Sequence, residues 1–126
     1  MREEAIKKAV EQFETLLREQ LVRSDKMEQA TGAKDYTKLE TIRIGICGGD
    51  GIGPVIMDEA RRLLEILLRN EVETGKVVLK EIPGLTIENR LALGKAVPDD
   101  VLAEIKSCDV ILKGPTTTPK GGTMES

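Results

Sequence analysis

The chain has 126 residues and a formal net charge of −3, and its 33% charged and 40% hydrophobic residues are typical of one small globular domain. The weakly acidic balance, one Phe, one Tyr and no Trp argue against nucleic acid as a partner, because bases require cations and aromatic platforms. The absence of His excludes a Ser-His-Asp or Cys-His mechanism within these residues.

No apolar run approaches the roughly 18 residues of a membrane span, and the charged N-terminus lacks the apolar segment of a signal peptide, so no membrane partner is expected. Cys47 and Cys108 match no metal-ligand spacing, and each adjoins an apolar run. Buried thiols in a reducing, cytoplasmic setting are therefore expected.

Residues 1–23 are predicted to form an amphipathic helix, because apolar residues recur at spacings of four, three, four and four. The residues of this stripe are Ile6, Val10, Phe13, Leu17 and Leu21. The stripe must be covered, either by docking on the following domain or by pairing with another chain. Residues 24–40 lose the periodicity and are predicted to be a linker, so that 1–40 form a helix and linker and 41–126 an α/β domain.

The rest of the chain alternates strand and helix patterns. Predicted strands cover 41–47, 77–81 and 109–113, the last as a short buried strand, and predicted helices cover 54–70, 86–93 and 98–107. Such an order is typical of an α/β fold with mainly parallel strands.

A glycine-rich turn, 48–54 (GGDGIGP), joins the first strand of this domain to a helix. It departs from the dinucleotide fingerprint because its third glycine comes one residue early, and it lacks the Gly-Lys-Ser/Thr of a P-loop. Asp50 would also repel a pyrophosphate. The glycines permit a tight turn, and the helix N-terminus could alternatively hold an anion.

A hydroxyl-rich loop follows the last predicted strand. Gly114 and Pro115 end the strand, and 116–118 (TTT) are followed by Pro119 and Lys120. Two interpretations remain open: a polar loop that binds an anion, since ligands bind beyond the carboxyl ends of strands in such sheets, or a solvated turn-rich loop.

Taken together, GGDGIGP and, about 60 residues later, VILKGPTTTP resemble the isocitrate and isopropylmalate dehydrogenase family over about residues 41–126. Leu-Lys-Gly-Pro-x-x-Thr-Pro followed by Gly-Gly and a Ser is most similar to the isocitrate branch. The resemblance implies a two-domain α/β dehydrogenase that works as a homodimer, with NAD or NADP and Mg²⁺ or Mn²⁺ as cofactors and isocitrate or a related 2-hydroxy acid as substrate.

The resemblance also implies roles for four residues. Lys113, Thr117 and Thr118 would border the nicotinamide, and Thr118 and Ser126 would contact the substrate. No catalytic residue and no metal ligand of the family has a counterpart here, since the arginines, the Tyr and Lys of proton transfer and the metal-binding aspartates follow this part of the family pattern.

This chain is therefore expected to be the N-terminal segment of such an enzyme and inactive alone. Two alternatives remain: a non-catalytic subunit or split half completed by a C-terminal partner chain, and an unrelated small anion-binding α/β module.

Overall fold

In a computed structural model of the protein, the described residues are 1–30 and 32–121, and the chain divides into two compact units, the second beginning at Tyr36. The first unit contains one helix, α1 (Arg2–Gln29), of 28 residues. The predicted helix ended too early, at residue 23. Residues 24–29 (SDKMEQ) lack apolar periodicity, but they include good helix formers and contain no Gly or Pro, so the helix continues through them.

The second unit alternates helices and strands. After a short 3₁₀ turn at Tyr36–Lys38, its elements are β1 (Ile42–Cys47), α2 (Gly53–Leu67), α3 (Arg69–Glu73), β2 (Val77–Glu81), α4 (Ile87–Leu93), α5 (Asp99–Lys106) and β3 (Val110–Lys113).

The three strands form one parallel sheet in the order β2-β1-β3, so that β1 lies in the centre. Ile42 pairs with Val77 on one side of β1, and Ile44 pairs with Val110 on the other. Parallel strands need crossover connections, which α2–α3 and α4–α5 supply. The predicted α/β fold with parallel strands and a preceding helix is confirmed.

The buried core lies on the face of the sheet that carries Gly45 and Cys47. A Cβ at Gly45 would lie 2.7 Å from Cδ1 of both Ile82 and Ile111, so any larger residue in the centre of this face would require these side chains to shift. The core cluster consists of Cys47, Ile82, Leu85 and Val101, with Ile105, Cys108 and Ile111 packed against it. Burial, followed by the charge of a Cys108 thiolate, raises the pKa of the Cys47 thiol, which keeps it protonated and inert.

The opposite face is covered less completely. α2 packs over it and leaves an apolar surface, here named the α2–β3 surface, which is formed by Ile44, Ala60, Leu63, Leu64, Val110 and Leu112. Leu63 is 56% and Val110 41% exposed. The prediction that the last strand is buried is therefore wrong: within the described residues, β3 is an edge strand with β1 as its one neighbour.

The boundaries of α4 follow its capping chemistry. Thr86 caps α4 by accepting from Asn89 N at 3.4 Å, and Gly94 follows α4 with φ 62°, a left-handed conformation that favours glycine.

The helix predicted over 54–70 is instead two helices, because Leu68 leaves the helical conformation at φ −110°. Cys108, predicted to be buried, is only partly so.

Candidate functional site

Two loops meet at the carboxyl edge of the sheet: the glycine turn (48–54) after β1 and the threonine loop (114–119) after β3. Gly114 N donates to Cys47 O at 2.8 Å, and Asp50 N donates to Pro115 O at 2.8 Å. The first bond continues the β1–β3 ladder past the last strand residue. The second joins the two loops directly. These loops occupy the edge at which α/β sheets bind ligands.

The loops approach so closely that side chains are excluded between them. A Cβ on Gly49 would lie 2.1 Å from Pro115 O, and a Cβ on Gly114 would lie 2.1 Å from Gly48 O. Gly49 also has φ 75°. Glycines of this turn are therefore required for packing against the threonine loop as well as for the turn itself.

Asp50 bridges three segments of the chain with its carboxylate. Its Oδ1 accepts from Ile87 N at 2.7 Å, at the first residue of α4, and its Oδ2 accepts from Thr117 N at 2.8 Å. This set of contacts is named the Asp50 bridge. The carboxylate accepts from two backbone donors, so its charge serves an internal contact between the glycine turn, α4 and the threonine loop.

The electrostatics of the Asp50 bridge favour the ionised carboxylate. Partial burial opposes ionisation, but the N–H groups of Thr117 and Ile87, the guanidinium of Arg90 and the Thr117 hydroxyl outweigh it. The pKa of Asp50 is therefore held below its ordinary value.

Arg90 joins the same assembly from α4, and its side chain is only 4% exposed. Its Nε donates to Ala96 O at 2.8 Å, and an Nη donates to Thr117 O at 2.9 Å. Both the N–H and the C=O of Thr117 are thus bonded within the protein. The threonine loop is fixed from two sides, by an anion and by a cation.

Three of the predicted site residues lie on this edge. Lys113 ends β3, and its exposed ammonium donates to Gly114 O at 3.0 Å and to Thr116 Oγ1 at 3.2 Å. Thr117 is held by the Asp50 bridge, and Thr118 is exposed beside it. Ser126 lies outside the described residues.

Sequence reasoning missed Asp50 and Arg90, although both organise the site. Asp50 was interpreted only as a charge that repels phosphate. The available signal was its position between glycines with φ 75° and 58°, where a carboxylate can turn back toward helix N–H groups. Nothing local marked Arg90, whose partners lie up to 27 residues away.

A cleft of about 210 Å³ adjoins the glycine turn on the side of α2. Pro54, Met57 and Thr86 line it, together with Arg61 and Glu81. Arg61 is paired with Glu65 at 3.0 Å and with Glu81 at 3.9 Å. Asp58 also lines the cleft, so its charged lining residues are two carboxylates and one guanidinium, and the lining is weakly acidic.

Over residues 1–30 and 32–121, no three His, Cys, Asp or Glu side chains come together as metal ligands. The described residues therefore supply no three-ligand metal site of their own. No helix among them is long and apolar enough to cross a membrane.

The fold and the site define a partial α/β fold with two polar loops at the ligand-binding edge of its sheet. Its curated relatives are dehydrogenases. 3-Isopropylmalate dehydrogenase 1 of Bradyrhizobium diazoefficiens is 34% identical over 84 residues, which are 67% of this chain and 21% of the relative. Isocitrate dehydrogenase (NADP) of Caldococcus noboribetus is 37% identical over 79 residues, 62% of this chain and 18% of the relative. Homoisocitrate dehydrogenase of Methanocaldococcus jannaschii is 29% identical over 85 residues, which are 68% of this chain and 22% of the relative.

The resemblance to the isocitrate and isopropylmalate dehydrogenase family is thereby confirmed over about 60–68% of the chain. The chain spans about a fifth of the length of these relatives. No family model matches it. The relatives carry three different substrate names, so they support the family as a whole rather than one of its substrates.

Proposed function

We propose that this chain is the N-terminal segment of an NAD(P)-dependent dehydrogenase that oxidises isocitrate, and that its threonine loop forms part of the substrate and nicotinamide pocket. The observation that carries the proposal is the threonine loop, fixed by the Asp50 bridge at the carboxyl edge of the sheet in a chain whose relatives are hydroxy-acid dehydrogenases. Isocitrate is preferred because Gly-Gly and Ser126 follow the Thr-Pro of the loop.

The residues of the loop suit an anionic substrate. The Lys113 ammonium stands at the end of β3 and supplies a positive charge toward a carboxylate, while the exposed Thr118 hydroxyl supplies a donor that orients it. Thr117 presents its backbone to Asp50 and Arg90, so it positions the loop. NAD(P)⁺ bound beside this wall would accept the hydride.

Because the described residues form no metal site, we expect the isolated chain to have no turnover. The metal ligands would come from the rest of a longer chain that forms a homodimer, or from a complementing C-terminal chain. Metal-dependent NAD(P)H formation by the purified 126-residue chain would contradict this part of the proposal.

A chimera tests the proposal directly. Residues 41–126 replace the corresponding segment of the Caldococcus noboribetus isocitrate dehydrogenase (NADP), and NADPH formation is measured with isocitrate, isopropylmalate and homoisocitrate. We expect activity with isocitrate. Thr118→Ala should lower kcat/KM about tenfold, because it removes one hydrogen bond to a charged group, and Thr118→Ser should retain activity.

The possible outcomes test the dehydrogenase assignment and the isocitrate assignment separately. A folded chimera without activity on any of the three acids would refute the dehydrogenase assignment. Preference for isopropylmalate or homoisocitrate would retain the family and refute isocitrate.

A split enzyme is the second candidate, and the α2–β3 surface favours it. This surface exposes apolar side chains on a helix and on an edge strand, which is the kind of surface that a further chain covers. Coexpression with the remaining part of the Caldococcus noboribetus enzyme should give a copurifying pair with NADPH-forming activity. Failure of the two chains to copurify would count against the split enzyme alone.

A further inference from the structure

The helix α1 is not explained by the proposed function. It has 28 residues, so it is about 42 Å long, and none of its residues is buried. The apolar stripe from Ile6 to Leu21 is 48–65% exposed at its five members. Helices in proteins are stabilised mainly by packing of an apolar face rather than by propensity, so this stripe requires a partner.

The first four members of the stripe have the spacing of a coiled-coil seam, and Leu21 falls beside it. Ile6, Val10, Phe13 and Leu17 follow one another at four, three and four residues, which is the alternation of d and a positions in a heptad. Lys7 and Glu14 then occupy successive e positions beside the seam.

We propose that α1 pairs with α1 of a second copy of this chain as an antiparallel coiled coil. Centred between Val10 and Phe13, this arrangement brings Val10 against Phe13 of the second copy and Ile6 against Leu17 of the second copy. Two-fold symmetry repeats both contacts, so the interface is isologous and has four apolar layers.

The charges beside the apolar layers favour the antiparallel orientation. In that orientation e positions face e positions, which brings Lys7 beside Glu14 of the second copy, and symmetry repeats the attraction. A parallel pair would instead bring Lys7 beside Arg2 of the second copy, and like charges repel. Glu14 already accepts from Arg18 within its own helix, at 2.6 and 2.9 Å, and both bonds use Oε1.

The antiparallel register has one unfavourable contact. It brings Arg2 near Arg23 of the second copy at each end of the paired region. This repulsion offsets part of the Lys7–Glu14 attraction, and salt weakens both because all four side chains are exposed.

The first test compares two valines of α1 in the 126-residue chain. Val10 is 59% and Val22 is 53% exposed, but Val22 lies about 150° around the helix from the centre of the stripe. Val10→Gln and Val22→Gln change helix propensity equally. By analytical ultracentrifugation we expect a species of twice the 13.8 kDa chain mass, whose dissociation constant rises at least tenfold in Val10→Gln and less than about twofold in Val22→Gln.

Charge reversal tests the orientation. Lys7→Glu and Glu14→Lys should each weaken the dimer, and the double variant should recover most of the lost affinity, because residues 7 and 14 meet only between antiparallel copies. In a parallel dimer Lys7→Glu would strengthen association through Arg2. Helicity of each variant, measured by circular dichroism, controls for loss of the helix itself.

Three results would overturn the proposal. A chain that stays monomeric at about 100 μM while α1 is helical has no such interface. A dimer that Val10→Gln leaves intact uses another surface. A monomer whose thermal unfolding is lowered by Val10→Gln but not by Val22→Gln has α1 docked on its own chain. None of these results bears on the chimera experiment, so this proposal and the proposed function fail independently.

Discussion

At the scale of single residues, the candidate site depends on a carboxylate that accepts hydrogen bonds from the backbone of two other segments. Asp50 gives each of its oxygens to a backbone N–H of a different segment, at 2.7 and 2.8 Å. An aspartate in such a position substitutes for the missing hydrogen-bond partners of a helix start and of a loop. Its charge holds the glycine turn, α4 and the threonine loop together.

Asp50→Asn should lower the free energy of unfolding by about 1–3 kcal/mol, because the amide NH₂ would face either Ile87 N or Thr117 N and leave that donor unpaired. Urea denaturation at pH 7 measures the change. The matched control is Asp58→Asn on the exposed face of α2, for which we expect less than about 0.5 kcal/mol. Equal effects of the two substitutions would refute the Asp50 bridge.

The contribution of Asp50 should also depend on pH. Its pKa in the folded chain is held below the ordinary value of 3.8, so its stabilisation is fully present above that value and is lost as the pH falls through the folded pKa. The difference in unfolding free energy between the native chain and Asp50→Asn should be constant from pH 7 to about 5 and shrink below about pH 4. A difference that stays constant down to pH 3 would contradict a lowered pKa.

Two glycines separate the cost of backbone conformation from the cost of loop contact. Gly49 and Gly75 share a φ of 75°, but only Gly49 would place a Cβ against another residue, 2.1 Å from Pro115 O. Gly75→Ala should cost about 1–2 kcal/mol for the left-handed backbone, and Gly49→Ala should cost about 1–3 kcal/mol more through displacement of the threonine loop. Thermal unfolding of both variants checks this, and equal losses would show that the loops do not need their close contact.

At the scale of elements, α4 is attached to the site through two residues one helical turn apart, Ile87 and Arg90. At the first residue of α4, Ile87 N donates a hydrogen bond to Asp50. The buried Arg90 of α4 donates to Ala96 O in the loop before α5 and to Thr117 O in the threonine loop. The helix is short, with 7 residues, so these tertiary bonds rather than its own propensity hold it in place.

Arg90→Lys should lower the free energy of unfolding by about 2–4 kcal/mol, because an ammonium cannot reproduce the fork that bonds Ala96 O and Thr117 O together. The α4 amides should also exchange their hydrogens faster in Arg90→Lys than in the native chain. Arg62→Lys is the control, since Arg62 is paired on the surface with Glu59 and its side chain is 71% exposed. A loss below about 0.5 kcal/mol in Arg90→Lys would show that the two carbonyls find other donors.

The elements themselves were largely readable from the sequence, for local reasons. The strand at 77–81 and the helix at 86–93 are bounded by turn glycines and by a threonine cap, which are chemical signals within a few residues. The extension of α1 to Gln29 and the break at Leu68 have no such signal. The Asp50 bridge could not be predicted, because it joins residues 67 positions apart and follows from the fold as a whole.

At the scale of the whole molecule, the described part of the second unit has two unequal edge strands. Val78 on β2 and Val110 on β3 are both 41% exposed, but only Val110 belongs to the α2–β3 surface. The two valines are therefore a matched pair for the question of which edge is apolar enough to bind a further chain or to aggregate.

Val110→Thr should reduce the binding of a fluorescent apolar dye and slow aggregation, whereas Val78→Thr should leave both unchanged. Threonine keeps the β-branched shape, so both variants should retain the free energy of unfolding within about 0.5 kcal/mol. Dye titration and light scattering at matched concentration provide the measurement. Equal dye loss in the two variants would show that the α2–β3 surface is not a distinct apolar patch.

The central position of β1 has a consequence for how the chain is made. A ribosome releases β1 first, then β2, and then β3, yet β3 is the neighbour that completes β1, and the threonine loop after β3 supplies the carbonyl of Pro115 to the N–H of Asp50. Until residue 117 has emerged, the nascent chain has a two-stranded sheet with its middle strand open on one side and a glycine turn without its contact. Closing a loop of 67 residues is slow relative to forming a helix, so we expect the contact between the glycine turn and the threonine loop to form after the elements that it joins.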